Sequence, residues 1–275
     1  MPAVHEGDVT SVHQARVASR RLRSALPVLG VRADADALGR ARRRVRRITR
    51  ALGPVRELDV ALTLLTELET RKVVPDAVIV LVRQAVTAER NARRREMLDE
   101  ITPSRLDKLR KRLVAVAAPS THPAHQPSGI AEAAKQAAIR AVGLRTTIER
   151  AGGIYLPDRL HRVRVAAKKL RYALEIQREL TGSRSTYRII RLKAQQDLLG
   201  RMHDLEMLID RTRGVQEALA ASDRRRTAEL NALIRLLEDE CRQGHASYMH
   251  ARAATLKLCE NVIEVSAPRR PVAVA

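Results

Sequence analysis

The chain contains no phenylalanine, no tryptophan and only four tyrosines in 275 residues. A core must therefore be assembled from Leu, Val, Ile and Ala, which suits interdigitating helices. Aromatic platforms for stacking single-stranded bases have almost no material to be made from. Two cysteines, Cys241 and Cys259, exclude a disulfide framework and a structural zinc site, and read as small helix residues of a reducing compartment. No stretch approaches ~18 consecutive apolar residues, so no transmembrane helix is expected. The most apolar run, "VVPDAVIVLV" at 73–82, is interrupted by Pro75 and Asp76. The opening "MPAVHEGDVTSVHQ" lacks a basic segment followed by an apolar one, which predicts no signal peptide and a cytoplasmic chain.

Acidic residues are also short, 31 against 52 Lys and Arg, leaving a formal charge of +21. Charge of this size favours polyanionic partners: nucleic acid, anionic lipid or inorganic polyphosphate. Most of the cations are arginine, whose planar fork pairs two donors with phosphate oxygens.

Neither period-two alternation nor an Asn-Gly hairpin occurs, and the expected fold class is all-α. The helical pattern predicts segments at 9–29, from Asp34 or Asp36 to Leu52, 55–71, 76–101 and from 102–104 to Ala118. Gly53-Pro54 is expected to separate the second from the third. "APSTHPAHQPSG" at 118–129 reads as a linker, in which His122 and His125 sit between prolines and suggest no metal site. Beyond it the pattern predicts helices near 130–151, 157–181, 184–199, 201–221 and 223–244, then a loose tail.

Two motifs recur. "VHQARVASRRLRSAL" (12–26) aligns without gaps to "LHRVRVAAKKLRYAL" (160–174), and "RVRRITRALGPVRELDV" (44–60) to "RLKAQQDLLGRMHDLEM" (191–207). His161 follows His13 by 148 positions and Gly200 follows Gly53 by 147, a common spacing that implies tandem duplication of a helical unit. At ~100° per residue, His13, Arg16, Arg20 and Arg23 share an arc of about 80°, with Arg21 flanking it. His161, Arg164, Lys168 and Arg171 reproduce the arc, with Lys169 in the flanking place. Such a row is unfavourable alone, since like charges at i,i+4 repel. Glu57 and Asp59, and in the second copy Asp204 and Glu206, either neutralise the cations or orient selected arginines while leaving donors free. The paired histidines suit phosphate better than zinc, because their helical neighbours are arginines.

At these residues the chain resembles the CHAD family, the conserved-histidine α-helical domain proteins, over about 8–260. The resemblance implies two related helical bundles around a central basic groove or pore: a single domain over 1–265, with halves at about 8–118 and 130–265, a linker loop at 119–129 and a loose tail at 266–275. It implies binding of inorganic polyphosphate and association with polyphosphate granules. Carried over, it assigns His13, Arg16, Arg20, Arg21 and Arg23 to one wall and His161, Arg164, Lys168, Lys169 and Arg171 to the other. The second motif adds Arg46 and Lys193, then Arg56 and His203. His13 and His161 are expected to line the same cavity.

Polyphosphate offers charge without base edges or rings, which matches rows of forked donors without aromatics. Duplex nucleic acid is the competing partner, bound through phosphates with salt-sensitive affinity. The carboxylate pairs are embedded among bases, so neither an enzyme nor a metal or other cofactor is expected. No anchoring pattern points to a membrane.

Overall fold

The computed structural model describes residues 8–30, 33–117, 127–219 and 223–266. Among these it contains eight helices and no strand, so the protein is all-α. They are α1 (Val9–Leu29), α2 (Ala35–Arg71), α3 (Asp76–Glu100), α4 (Pro103–Ala117), α5 (Pro127–Ala151), α6 (Pro157–Thr181), α7 (Tyr187–Glu217) and α8 (Arg224–Ser266). Most of the stretch read as a linker, and the tail from 267, lie outside the described residues; Pro127 to Gly129 belong to α5.

Helix starts follow local chemistry. The Asp8 carboxylate accepts from the Ser11 amide at 2.7 Å and opens α1; Asp34 accepts from the Ala37 amide at 2.7 Å and opens α2. Gly182, at φ 63°, closes α6 in the left-handed conformation that glycine tolerates.

Three expected helix ends do not exist. Gly53-Pro54 lies inside the 37-residue α2, and Gly200 lies inside the 31-residue α7. Gly244, read as a terminus, lies inside the 43-residue α8. Local breakers yield here because burial on both sides holds the helices together. Leu52 and Val55 flank the Gly-Pro pair, and Leu199 and Met202 flank Gly200, all buried.

Long helices are needed because α2 and α7 each cross two cores. One core, in the first half, includes Val12 and Leu26 from α1, Val45 and Leu52 from α2, and Leu109 from α4. Another, in the second half, joins α5 and α6 with the first part of α7 and the last part of α8. Between them, Leu58, Leu65 and Leu68 of α2 meet Ile79 and Val82 of α3, Leu205 and Ile209 of α7, and Leu233 and Leu237 of α8. This shared core fuses the halves. Ion pairs Glu67–Arg201, Arg71–Glu240 and Glu89–Arg211 reinforce the seam.

The halves differ at one end. Helix α8 runs unbroken over 43 residues, whereas α3 and α4 are divided at Thr102-Pro103, where proline removes an amide donor. Helix α4 packs back on α2 and shares a core with α1, whereas α5 packs mainly along α6.

Candidate functional site

The helices that carry the recurring sequence motifs meet: α1 packs against α6, and α2 against α7. Between these four lies a cavity of about 650 Å3. From α1 it is lined by His13, Arg16 and Arg20, and from α2 by Arg56 and Glu57. Helix α6 contributes Arg164, Lys168, Arg171 and Tyr172, and α7 contributes Lys193, Gln196, Arg201 and Asp204.

Each half builds the same small device. Arg16 Nη1 donates to the Thr49 carbonyl at 3.4 Å, and Nη2 lies 3.6 Å from the Glu57 carboxylate. In the second half, Arg164 Nη2 lies 3.8 Å from Asp204, the residue aligned with Glu57. A guanidinium carries five N–H donors, so one carboxylate orients it and leaves several unused. Arg171 is held by Gln196 at 2.9 Å and by Glu175, with its guanidinium carbon 4.6 Å from the Tyr172 ring centre.

The repeated glycine explains how these arginines lie so close to the neighbouring helix. A Cβ at Gly53 would fall 2.9 Å from Arg16 Nη1, and one at Gly200 would fall 3.8 Å from Arg164 Nε. Reading the sequence for chemistry missed both glycines, although their recurrence at one place inside a helix was the available signal. It also missed Arg201 and Gln196, whose aligned positions are Pro54 and Thr49 and carry no charge to repeat.

Crowding of like charge in a half-buried space sets the electrostatics. Burial, then Arg164 and Arg20, pushes Lys168 down to about 7. Burial first and neighbouring cations second also push Arg16 and Arg164 below the ordinary arginine range. Burial raises Asp204, against the opposing pull of Arg164 and Lys168.

The histidines do not share a cavity. His13 lines the one between the halves. His161 and His203 line an adjacent cavity of about 520 Å3, with Tyr155, Asp158, Glu206 and Asp210. Their Nδ1 atoms lie 3.2 Å apart, one ring donating to the other. Burial, followed by Arg164, pushes His203 down to about 3, so it is neutral at physiological pH. The first half cannot form this pair, because its residue at the position of His203 is Arg56, which together with burial pushes His13 down. Among the described residues no group of three or more His, Cys, Asp or Glu could hold a metal ion.

The remaining expected residues lie elsewhere. Arg21, Arg46 and Lys169 are exposed outside the cavity lining, and Arg23 is half-buried one turn beyond Arg20. Asp59, only 3% exposed, accepts from Arg90 Nε of α3 at 2.6 Å, and Glu206 accepts from the Tyr155 hydroxyl. Helix geometry accounts for the division: residues two apart point about 200° apart. Glu57 and Asp204 face the cavity, so Asp59 and Glu206 cannot.

The model of the CHAD domain matches residues 1–213. The chain belongs to the CHAD domain family. Every residue lining the cavity falls within the matched stretch, as do both copies of the arginine–carboxylate pair. No curated protein matches the chain at a significant level. No described helix of this CHAD protein is long and apolar enough to cross a membrane.

Proposed function

We propose that this CHAD protein binds inorganic polyphosphate in the cavity between its halves, as a receptor rather than an enzyme, and that this binding associates it with polyphosphate granules. The observation that carries the reading is the repeated Arg16–Glu57 and Arg164–Asp204 pair, presented to one space from both sides. A linear polyanion can lie between two such walls and take donors from each. Lys168 and Arg20 add charge that an anion would relieve. The CHAD resemblance implies the same ligand. Tyr172, part of the arginine stack, is the one aromatic lining the cavity, which leaves little for base stacking.

Duplex DNA is too broad to enter and would reach the rim alone. The test is competition between long-chain polyphosphate and duplex DNA at matched phosphate concentration, with Arg16→Glu/Arg164→Glu as the control variant. Polyphosphate is expected to displace DNA at substoichiometric phosphate, and the double variant to lose polyphosphate while keeping its helix content. Equal competition would leave a general polyanion or nucleic-acid binder instead. Survival of binding in the double variant would remove the cavity as the site.

A further inference from the structure

Helix α1 borders a second space of opposite character. On the side turned away from its cationic arc lies a cleft of about 150 Å3. Helix α1 lines it with Ala15, Ala18, Ser19 and Leu22, the i, i+3, i+4, i+7 spacing of one helix face. The facing side chains, from α2, α4 and the turn before α4, are all Val, Ile or Leu. No charged residue takes part. Ser19 is the one polar member, and its hydroxyl already donates to the Arg16 carbonyl at 2.9 Å. Water needs two to four polar partners to settle in such a space, and these walls do not supply them.

The second half shows what this face accepts. Ala15, Ser19, Leu22 and Leu52 align with Val163, Ala167, Leu170 and Leu199. Those four are at most 2% exposed and share one core with Ala137, Ala141, Leu144 and Ile148 of α5, which packs along α6. Aliphatic side chains of the chain itself therefore complete the aligned face. In the first half α4 buries only Leu109 and Val116. Ala15 and Leu22 stay half-buried, and Ala18 is exposed at the mouth of the cleft. The space left over is apolar and open to entry. A dry apolar cavity of this size holds a benzene ring.

We infer that the cleft between α1, α2 and α4 is a binding site for an uncharged hydrocarbon group of about six carbons, carried by a small molecule, which takes the place that α5 side chains hold in the second half. The driving force is burial of apolar surface on both partners. The site lies across α1 from the cationic cavity and is independent of what that cavity binds.

The test follows benzene and hexan-1-ol, a ring and a chain, by amide chemical shifts and calorimetry on the full chain. The variants are Ala18→Leu, which adds carbons at the mouth, and Ala15→Val, which supplies the side chain of the aligned Val163. Ala253→Leu, on an exposed position of α8, is the control. The wild type is expected to bind at least one probe with a Kd of about 1 mM, with the shifts centred on Ala15, Ile48 and Leu109. Affinity should fall about tenfold in Ala18→Leu and about threefold in Ala15→Val, and stay within about twofold in Ala253→Leu. If Ala18→Leu does not fold, Ala15→Val decides alone. Absence of binding for both probes, shifts centred elsewhere, or undiminished binding in the filled variants overturns the site. Tighter binding of hexan-1-ol assigns it to the end of an alkyl chain and tighter binding of benzene to a compact ring; either upholds it.

Discussion

Gly53 occupies the interior of a long helix, where alanine would stabilise by roughly 0.5–1 kcal/mol on backbone grounds. Its absent side chain makes room for the Arg16 guanidinium, because a Cβ there would come within 2.9 Å of Nη1. Gly53→Ala is therefore expected to keep or raise stability while displacing Arg16 and weakening polyphosphate binding several-fold. Gly200→Ala meets Arg164 at an ordinary 3.8 Å and should gain stability with binding retained. Parallel thermal melts and binding isotherms of the two variants check the contrast; equal behaviour would show that the glycine does not set the arginine. Lys168 supplies a second residue-scale expectation. Its folded pKa of about 7 lies below the ordinary 10.5, so between those values the unfolded chain holds more protons. Its contribution to stability is least favourable below about pH 7 and recovers as pH rises toward 10.5. Lys168→Met should flatten that rise in denaturant titrations run across the interval. Polyphosphate affinity should fall as pH passes about 7, and Lys168→Arg should remove most of that fall.

Helices show where local signals prevail and where they do not. The caps at Asp8 and Asp34, the proline start of α6 and the glycine end at Gly182 were legible because each is a contact within a few residues. Continuity through Gly53-Pro54, Gly200 and Gly244 was not, because a breaker's local cost is outweighed by core contacts from distant chain segments. The unequal cover on α1 and α6 was also hidden, since the two helices have nearly the same apolar pattern. It has a measurable consequence. Leu170, fully buried beneath α5, should cost about 2–5 kcal/mol when changed to Ala. Leu22, its aligned and half-buried counterpart, should cost less than half as much. Equilibrium unfolding of the two variants compares the halves directly.

For the molecule as a whole, a formal charge of +21 works against compactness unless anions or salt screen it. The ligand-free protein should therefore melt higher as ionic strength rises, while polyphosphate binding weakens over the same range; calorimetric scans across a salt series test both. A melting temperature that falls with salt would mean that the seam ion pairs outweigh the repulsion. The sequence by itself determined the all-α class, the recurring motifs and the cationic arcs, because these follow from composition, helical period and internal alignment; the motifs in turn carry the likeness to the CHAD family. Tertiary structure decided which members of each arc face one space. It set Glu57 and Asp204 on the arginines and turned Asp59 and Glu206 away. It also sent His161 to His203 instead of toward His13. A helical period assigns each residue a direction about its own axis. What stands in that direction depends on how two distant helices cross, and only the shared core between the halves sets that.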